Sequence, residues 1–211
     1  VGVVHLAAVS RVVWRQRDPD LCWRTNVAGL QSLVQAALAQ RAKPWILFSS
    51  SREVYGQSQS LPVAETAPLN PLNVYARSKA EGERIVLDAR NQGLQTAVVR
   101  LSNVYGCTKD HADRVIPSFA RAAFEGLGLR VDGSNHTFDF THVDDVVRGI
   151  AALIEVLNSG AQPLPPVHLV SGYPTSLGEL AALCRRLGNS ASLITEAAPR
   201  SYDVAQFYGD P

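Results

Sequence analysis

No lysine/arginine block stands out in this chain of 211 residues, and 20 basic against 19 acidic side chains leave a formal charge of only +1. Such a balance offers no basic face able to follow a nucleic-acid backbone, so nucleic acid is excluded as an expected partner. No apolar stretch reaches the ~18 to 20 residues that a membrane span requires, and Val1 to Ala8 has neither the charged front nor the cleavage site of a signal peptide. Cysteine is scarce. Cys22, Cys107 and Cys184 are odd in number, far apart and without metal-ligand spacing, which suits free thiols in a reducing compartment and makes the cytoplasm the expected location. Repeats and low-complexity stretches are also missing. With 46% hydrophobic and 18% charged residues, the chain can bury an ordinary core without disulfides or metal and reads as a soluble globular protein.

Strand and helix signals alternate along the sequence. Val1 to Leu6 is a short apolar run, as expected of a parallel strand covered on both faces. A helix follows from about Pro19 to Gln40, then a strand at Trp45 to Ser49, a helix from about Asn73 to Asn91 and a strand at Gln95 to Leu101. Further on come a helix near Val115 to Glu125, short strands near Leu129 to Val131 and Thr137 to Phe140, and a helix from Val143 to Leu157. After Pro163-Leu164-Pro165-Pro166 the pattern gives a strand at Val167 to Val170 and a helix at Ser176 to Leu187, where Ser176 and Glu179 have capping-box spacing. Such alternation predicts an α/β fold with a parallel sheet and right-handed crossovers.

The chemistry is concentrated in Tyr75 and Lys79, four residues apart on a predicted helix and therefore on one face. A free tyrosine titrates near ~10, and an adjacent ammonium favours its charged form, turning a poor base into a usable one. Ser51, expected at the end of a buried strand, could hold a substrate oxygen against Tyr75. Serine, tyrosine and lysine together imply alcohol oxidation by hydride removal. A Tyr/Lys pair at this spacing also arises by chance on amphipathic helices, so the neighbouring segments matter.

Those segments are His5-Leu6-Ala7-Ala8, Asn26-Val27-Ala28-Gly29, Ser49 to Gly56, Pro71 to Lys79, Arg100 to Gly106 and Asp139 to Asp145. In this order they resemble the extended short-chain dehydrogenase/reductases, specifically the NAD-dependent nucleotide-sugar epimerase/dehydratase group, almost from end to end. The resemblance implies a Rossmann-like doubly wound parallel sheet with a smaller C-terminal substrate-binding lobe, divided roughly as residues 1–106 and 107–211 and interleaved. It also implies NAD as cofactor, with NADP open, a nucleotide-sugar substrate and a homodimer built from the helix carrying Tyr75 and its neighbour. By the same resemblance Tyr75, Lys79 and Ser51 are catalytic, with Glu53 as a further candidate. Leu6, Ala7, Ala8, Asn26, Ser102, Tyr75 and Lys79 face the cofactor, and Ser51 and Asn103 face the substrate. His5 reads as structural, Asp139, Asp144 and Asp145 as chiefly structural carboxylates, and Cys107 has no chemistry assigned.

Three departures from the pattern shape the expectation. No Gly-x-x-Gly-x-x-Gly turn occurs before His5, so a fragment truncated at both ends is expected, missing on the order of 60 N-terminal residues and binding NAD weakly by itself. Relatives usually carry arginine just before Asp139, where it pairs with a diphosphate; here Phe138 stands, unless Arg100, Arg114 or Arg148 supplies the charge. Glu53 matches a carboxylate used by dehydratases and decarboxylases, but Arg52 occupies the place of the dehydratase aspartate. Epimerisation through a transient 4-keto sugar is therefore the expected reaction. A 4,6-dehydratase or decarboxylase using Glu53, an NADP-dependent ketoreductase and an NAD-sensing regulator are the alternatives.

Overall fold

A computed structural model describes residues 1–10, 18–161, 163–199 and 204–211. The first described strand is β1 (Gly2–His5). The expected 19–40 helix is present but in three pieces: α1 (Pro19–Trp23), a π-helical turn over Arg24–Ala28, and α2 (Gly29–Leu38). Asp18 caps the start, its carboxylate accepting from the Leu21 amide at 2.9 Å, and proline follows at the first helical position. β2 (Trp45–Ser51) runs into a 3₁₀ turn over Arg52–Tyr55, followed by α3 (Val74–Arg90) and β3 (Thr96–Leu101). The remainder contributes β4 (Asn103–Tyr105), α4 (Val115–Glu125), β5 (Leu129–Asp132), β6 (Thr137–His142), α5 (Val143–Asn158) and β7 (Val167–Leu169). β8 (Pro174–Ser176), α6 (Leu177–Leu187), β9 (Ile194–Ala197) and β10 (Gln206–Phe207) complete it.

β1, β2, β3 and β7 form one wholly parallel sheet in the order β1-β2-β3-β7. Alternation along β2 builds its two cores. Ile46 and Phe48 pack with Val27, Leu30, Val34, Ile85 and Val86 from α2, α3 and the π turn. Leu47 points the other way, into a cluster with Val99, Leu157 and the α5 residues Ile150 and Leu153. A parallel sheet with helices on both faces is the doubly wound arrangement that the resemblance implies. Among the described residues β1 pairs with β2, and its residues are half-buried.

A second sheet has the order β10-β6-β4, with β8 antiparallel to β6, and β5 pairs with β9. α4 and α6 cover the latter through Phe119, Ala123, Leu129, Val131, Leu180 and Ala181. The predicted capping box forms: Ser176 accepts from the Glu179 amide, and Glu179 accepts from the Ser176 amide. The three cysteines are free thiols. Among the described residues no helix is long and apolar enough to cross a membrane.

Candidate active site at the carboxyl end of the first sheet

In parallel α/β sheets, ligands collect where the strands end. β2 ends at Ser51, whose hydroxyl accepts from the Glu53 amide at 3.2 Å and so caps the following 3₁₀ turn. Gly56 closes that turn at φ +62°, a left-handed conformation that favours glycine, and a Cβ there would lie 1.9 Å from the Asn70 carbonyl oxygen.

α3 starts beside this strand end. Asn73 is its N-cap, accepting from the Ala76 amide at 2.9 Å, which fixes the first turn and with it the half-buried Tyr75. One turn on, Lys79 is 3% exposed, far from the solvated lysine of an ordinary helix face. Its ammonium donates to the Ser49 carbonyl at 2.6 Å, lies 4.9 Å from the centre of the Phe48 ring and 5.8 Å from that of Tyr75. The ammonium thus lies beside the Tyr75 ring, and a nearby cation favours the phenolate form. Gly82 makes this approach of helix to strand possible, because a Cβ in its place would fall 2.4 Å from the Phe48 ring.

At the end of β1, Leu6 and Ala7 are exposed and Ala8 is half-buried, a low surface against which a flat ring could lie. His5, behind them, stacks on Phe48 at 6.0 Å between ring centres. Burial first, and the Lys79 charge second, hold its pKa below the ordinary histidine value, in keeping with a structural role. Lys79 thus acts electrostatically on the end of β1 as well as sitting beside Tyr75.

Asn26 is buried, and its amide is used within the chain. The oxygen accepts from the Val9 amide at 2.8 Å; the nitrogen donates to Ser78 Oγ at 3.0 Å and to the Val9 carbonyl at 3.3 Å. Ser78 in turn donates to the Tyr75 carbonyl at 2.8 Å. The π turn rotates Asn26 inward, so one side chain ties the segment after β1 to the helix carrying Tyr75. A polar residue in the middle of a predicted helix is the sequence signal for this. The interruption itself has no signal of its own.

Ser102 is buried and donates to the Asp139 carbonyl at 2.7 Å, joining the end of β3 to β6. Asn103, half-buried on β4, opposes Phe140 of β6. Asp139 is fully buried and accepts from Thr141 Oγ1, Ser171 N, Ser171 Oγ and Gly172 N at 2.8–3.0 Å, fastening the 171–172 turn to β6. Glu53 pairs with Arg52 at 2.8 Å and accepts from Asn73 Nδ2 at 3.1 Å.

The arginines proposed in place of Phe138 are engaged elsewhere. Arg100 is committed to Glu83, Tyr55 and the Glu65 carbonyl; Arg114 pairs with Asp110 and Arg148 with Asp145 on the surface. Arg52, read from the sequence only as standing in place of the dehydratase aspartate, has its guanidinium 4.8 Å from the Phe138 ring centre.

A family model described as the NAD dependent epimerase/dehydratase family matches residues 2–165. The chain belongs to this family. It is 38% identical over 154 residues to a dTDP-glucose 4,6-dehydratase of Streptomyces griseus, covering 72% of this chain and 46% of that protein. Over 200 residues it is 28% identical to UDP-glucuronate 4-epimerase 2 of Arabidopsis thaliana, covering 88% of this chain and 46% of the relative. Among solved structures, the UDP-glucose 4-epimerase of Brucella ovis in complex with NAD superposes with a TM-score of 0.90 at 31% identity, over 100% of this chain and 70% of that one. The chain spans about half the length of the curated relatives it matches. Relatives of both reaction types are similar to it, so family membership leaves the reaction itself to the residues around Glu53.

Proposed function

We infer that this epimerase/dehydratase family chain takes part in NAD-dependent epimerisation of a nucleotide sugar through a transient 4-keto intermediate. The observation that carries the reading is the buried Lys79 ammonium beside the Tyr75 ring, next to the strand that ends in Ser51. Lys79 stabilises Tyr75 as the phenolate, which takes the C4 hydroxyl proton and becomes the neutral phenol, and Ser51 holds the same oxygen in line. Bound NAD would supply the acceptor and later the donor of the C4 hydride. Leu6, Ala7 and Ala8 fit it as a low surface, with Lys79 in reach of the same strand end. Asn103 faces the substrate, while Asn26 and Ser102 hold the loops and strands around the cofactor side.

The engagement of Glu53 by Arg52 and Asn73 favours epimerisation over dehydration, since a dehydratase needs that carboxylate free to exchange a proton. The same reading places the protein in the cytoplasm and joins two copies through α2 and α3. The groove between those helices is lined by Val34, Leu38 and Ile85 together with Gln31, Gln35, Arg84, Asp88 and Gln92, and Leu21 and Trp23 of α1 are exposed.

The test is a mass spectrum of the products when the full-length protein and NAD are incubated with nucleotide sugars. A new chromatographic species of unchanged mass supports epimerisation; loss of water or carbon dioxide transfers the role to Glu53. Tyr75→Phe should lower turnover by roughly two to four orders of magnitude with the fold retained. Unimpaired turnover in that variant removes Tyr75 as the base.

A further inference from the structure

Arg52 directly follows Ser51, at the point where the first sheet ends and the β6 and β10 strands of the second begin to pack. Its side chain crosses this junction: the guanidinium lies 4.8 Å from the centre of the Phe138 ring and 5.5 Å from that of Phe207. The residue is 9% exposed. Nη2 pairs with Glu53, but Nη1 is buried and has no hydrogen-bond partner among the described residues. An arginine presents five N–H donors in a planar fork, and a buried donor left unmade costs about 1–3 kcal/mol, so each such group in a native fold calls for an explanation.

The two rings explain how the cation is tolerated, by contact with their faces, but they accept no hydrogen bond in the guanidinium plane. Glu53 meets Nη2 through Oε1, and its other oxygen accepts from the Asn73 amide. What fits the remaining edge of a planar guanidinium is an oxyanion, phosphate or carboxylate, bound through charge-assisted N–H···O contacts.

We propose that Arg52 Nη1 is the oxyanion-binding group of the substrate site, taking either a diphosphate oxygen or a sugar carboxylate of the nucleotide sugar. This rests on the nucleotide-sugar reading above. Arg52 adjoins the serine assigned to hold the sugar hydroxyl, which puts an anion on this edge within one residue of the reacting end of the substrate. The ion pair with Glu53 holds the guanidinium plane in place while Nη1 receives the ligand.

Titration calorimetry of the full-length protein with UDP, UDP-glucose and UDP-glucuronate separates the two sources. Arg52→Met should weaken binding by about 10- to 100-fold wherever the oxyanion is present. A loss for all three ligands assigns the diphosphate; a loss confined to UDP-glucuronate assigns the carboxylate. Arg52→Lys keeps the charge without the fork and should recover only part of the affinity, and its thermal midpoint separates a binding defect from a folding defect. Unchanged affinity for all three ligands in a folded Arg52→Lys or Arg52→Met variant overturns the role of Arg52 and leaves the nucleotide-sugar reading intact. Failure of the unsubstituted protein to bind any of the three overturns both.

Discussion

Two arginines lie over the Tyr55–Phe207 ring stack, and they are treated in opposite ways. Arg100 is 4.9 Å from the Tyr55 ring centre and Arg52 is 5.5 Å from that of Phe207, while the two rings are 5.8 Å apart. Arg100 binds both Glu83 oxygens at 3.0 and 2.8 Å, the Tyr55 hydroxyl at 3.0 Å and the Glu65 carbonyl at 2.8 Å, and Glu83 also accepts from Ser50 at 2.5 Å. Burial works most strongly against its charge, but the Glu83 carboxylate and the Tyr55 hydroxyl together outweigh it and hold the pKa above the ordinary arginine value. Among the described residues, Glu53 is the ion-pair partner of Arg52, and Nη1 has no hydrogen-bond partner. A fully satisfied network joins β2, β3 and α3 as structure, whereas a network with a donor left over sits where a ligand is expected.

The same substitution on each side should break the comparison most sharply. Glu83→Gln replaces one carboxylate oxygen by an amide donor facing the Arg100 donors and leaves a buried guanidinium without its counter-charge. A loss of about 3–5 kcal/mol is expected, the scale of removing one partner from a buried ion pair, read as a fall in the denaturant midpoint. Glu53→Gln acts on a pair that keeps some solvent contact and an oxygen for Asn73, so about 1–2 kcal/mol is expected. Turnover in Glu53→Gln should stay within about threefold of the parent if Glu53 only positions Arg52, against the roughly 100-fold or greater loss due to a missing proton carrier. Equal destabilisation by the two variants would erase the distinction between structural and ligand-facing arginine.

The same contrast marks what could be read from the sequence. Alternating strands and helices, the Tyr75/Lys79 face and the Ser176 cap were legible because local period and spacing determine them. β4, β8, β9 and β10 were not, since strands of two to four residues outside a marked apolar run such as that of β7 carry no measurable alternation. Glu83 and Arg100 look like surface charges until a helix and a strand bring them together in the core. Arg52 looks like half of a local pair with its neighbour, because the rings that bury it come from β6 and β10, far along the chain.

Tyr55 belongs to both sides, with its ring on Phe207 and its hydroxyl between Arg100 and His168 Nδ1, the latter at 3.2 Å. Burial raises its pKa above the ordinary value of 10.0, overcoming the opposing effect of the Arg100 hydrogen bond and charge. The folded chain therefore holds the phenolic proton more tightly than the unfolded chain. By linkage this stabilisation is complete below pH 10.0 and is lost as pH rises through the folded-state value. Tyr55→Phe keeps the ring stack but removes the hydroxyl, leaving Arg100 Nη1 with the Glu65 carbonyl. The expected loss at neutral pH is the smallest of the three, about 0.5–1 kcal/mol. Because phenylalanine has no proton to lose, parent and variant should converge in stability as pH is raised past 10.0 in denaturant titrations. A difference that stays constant through that range would mean that burial does not raise the phenol pKa in the folded chain.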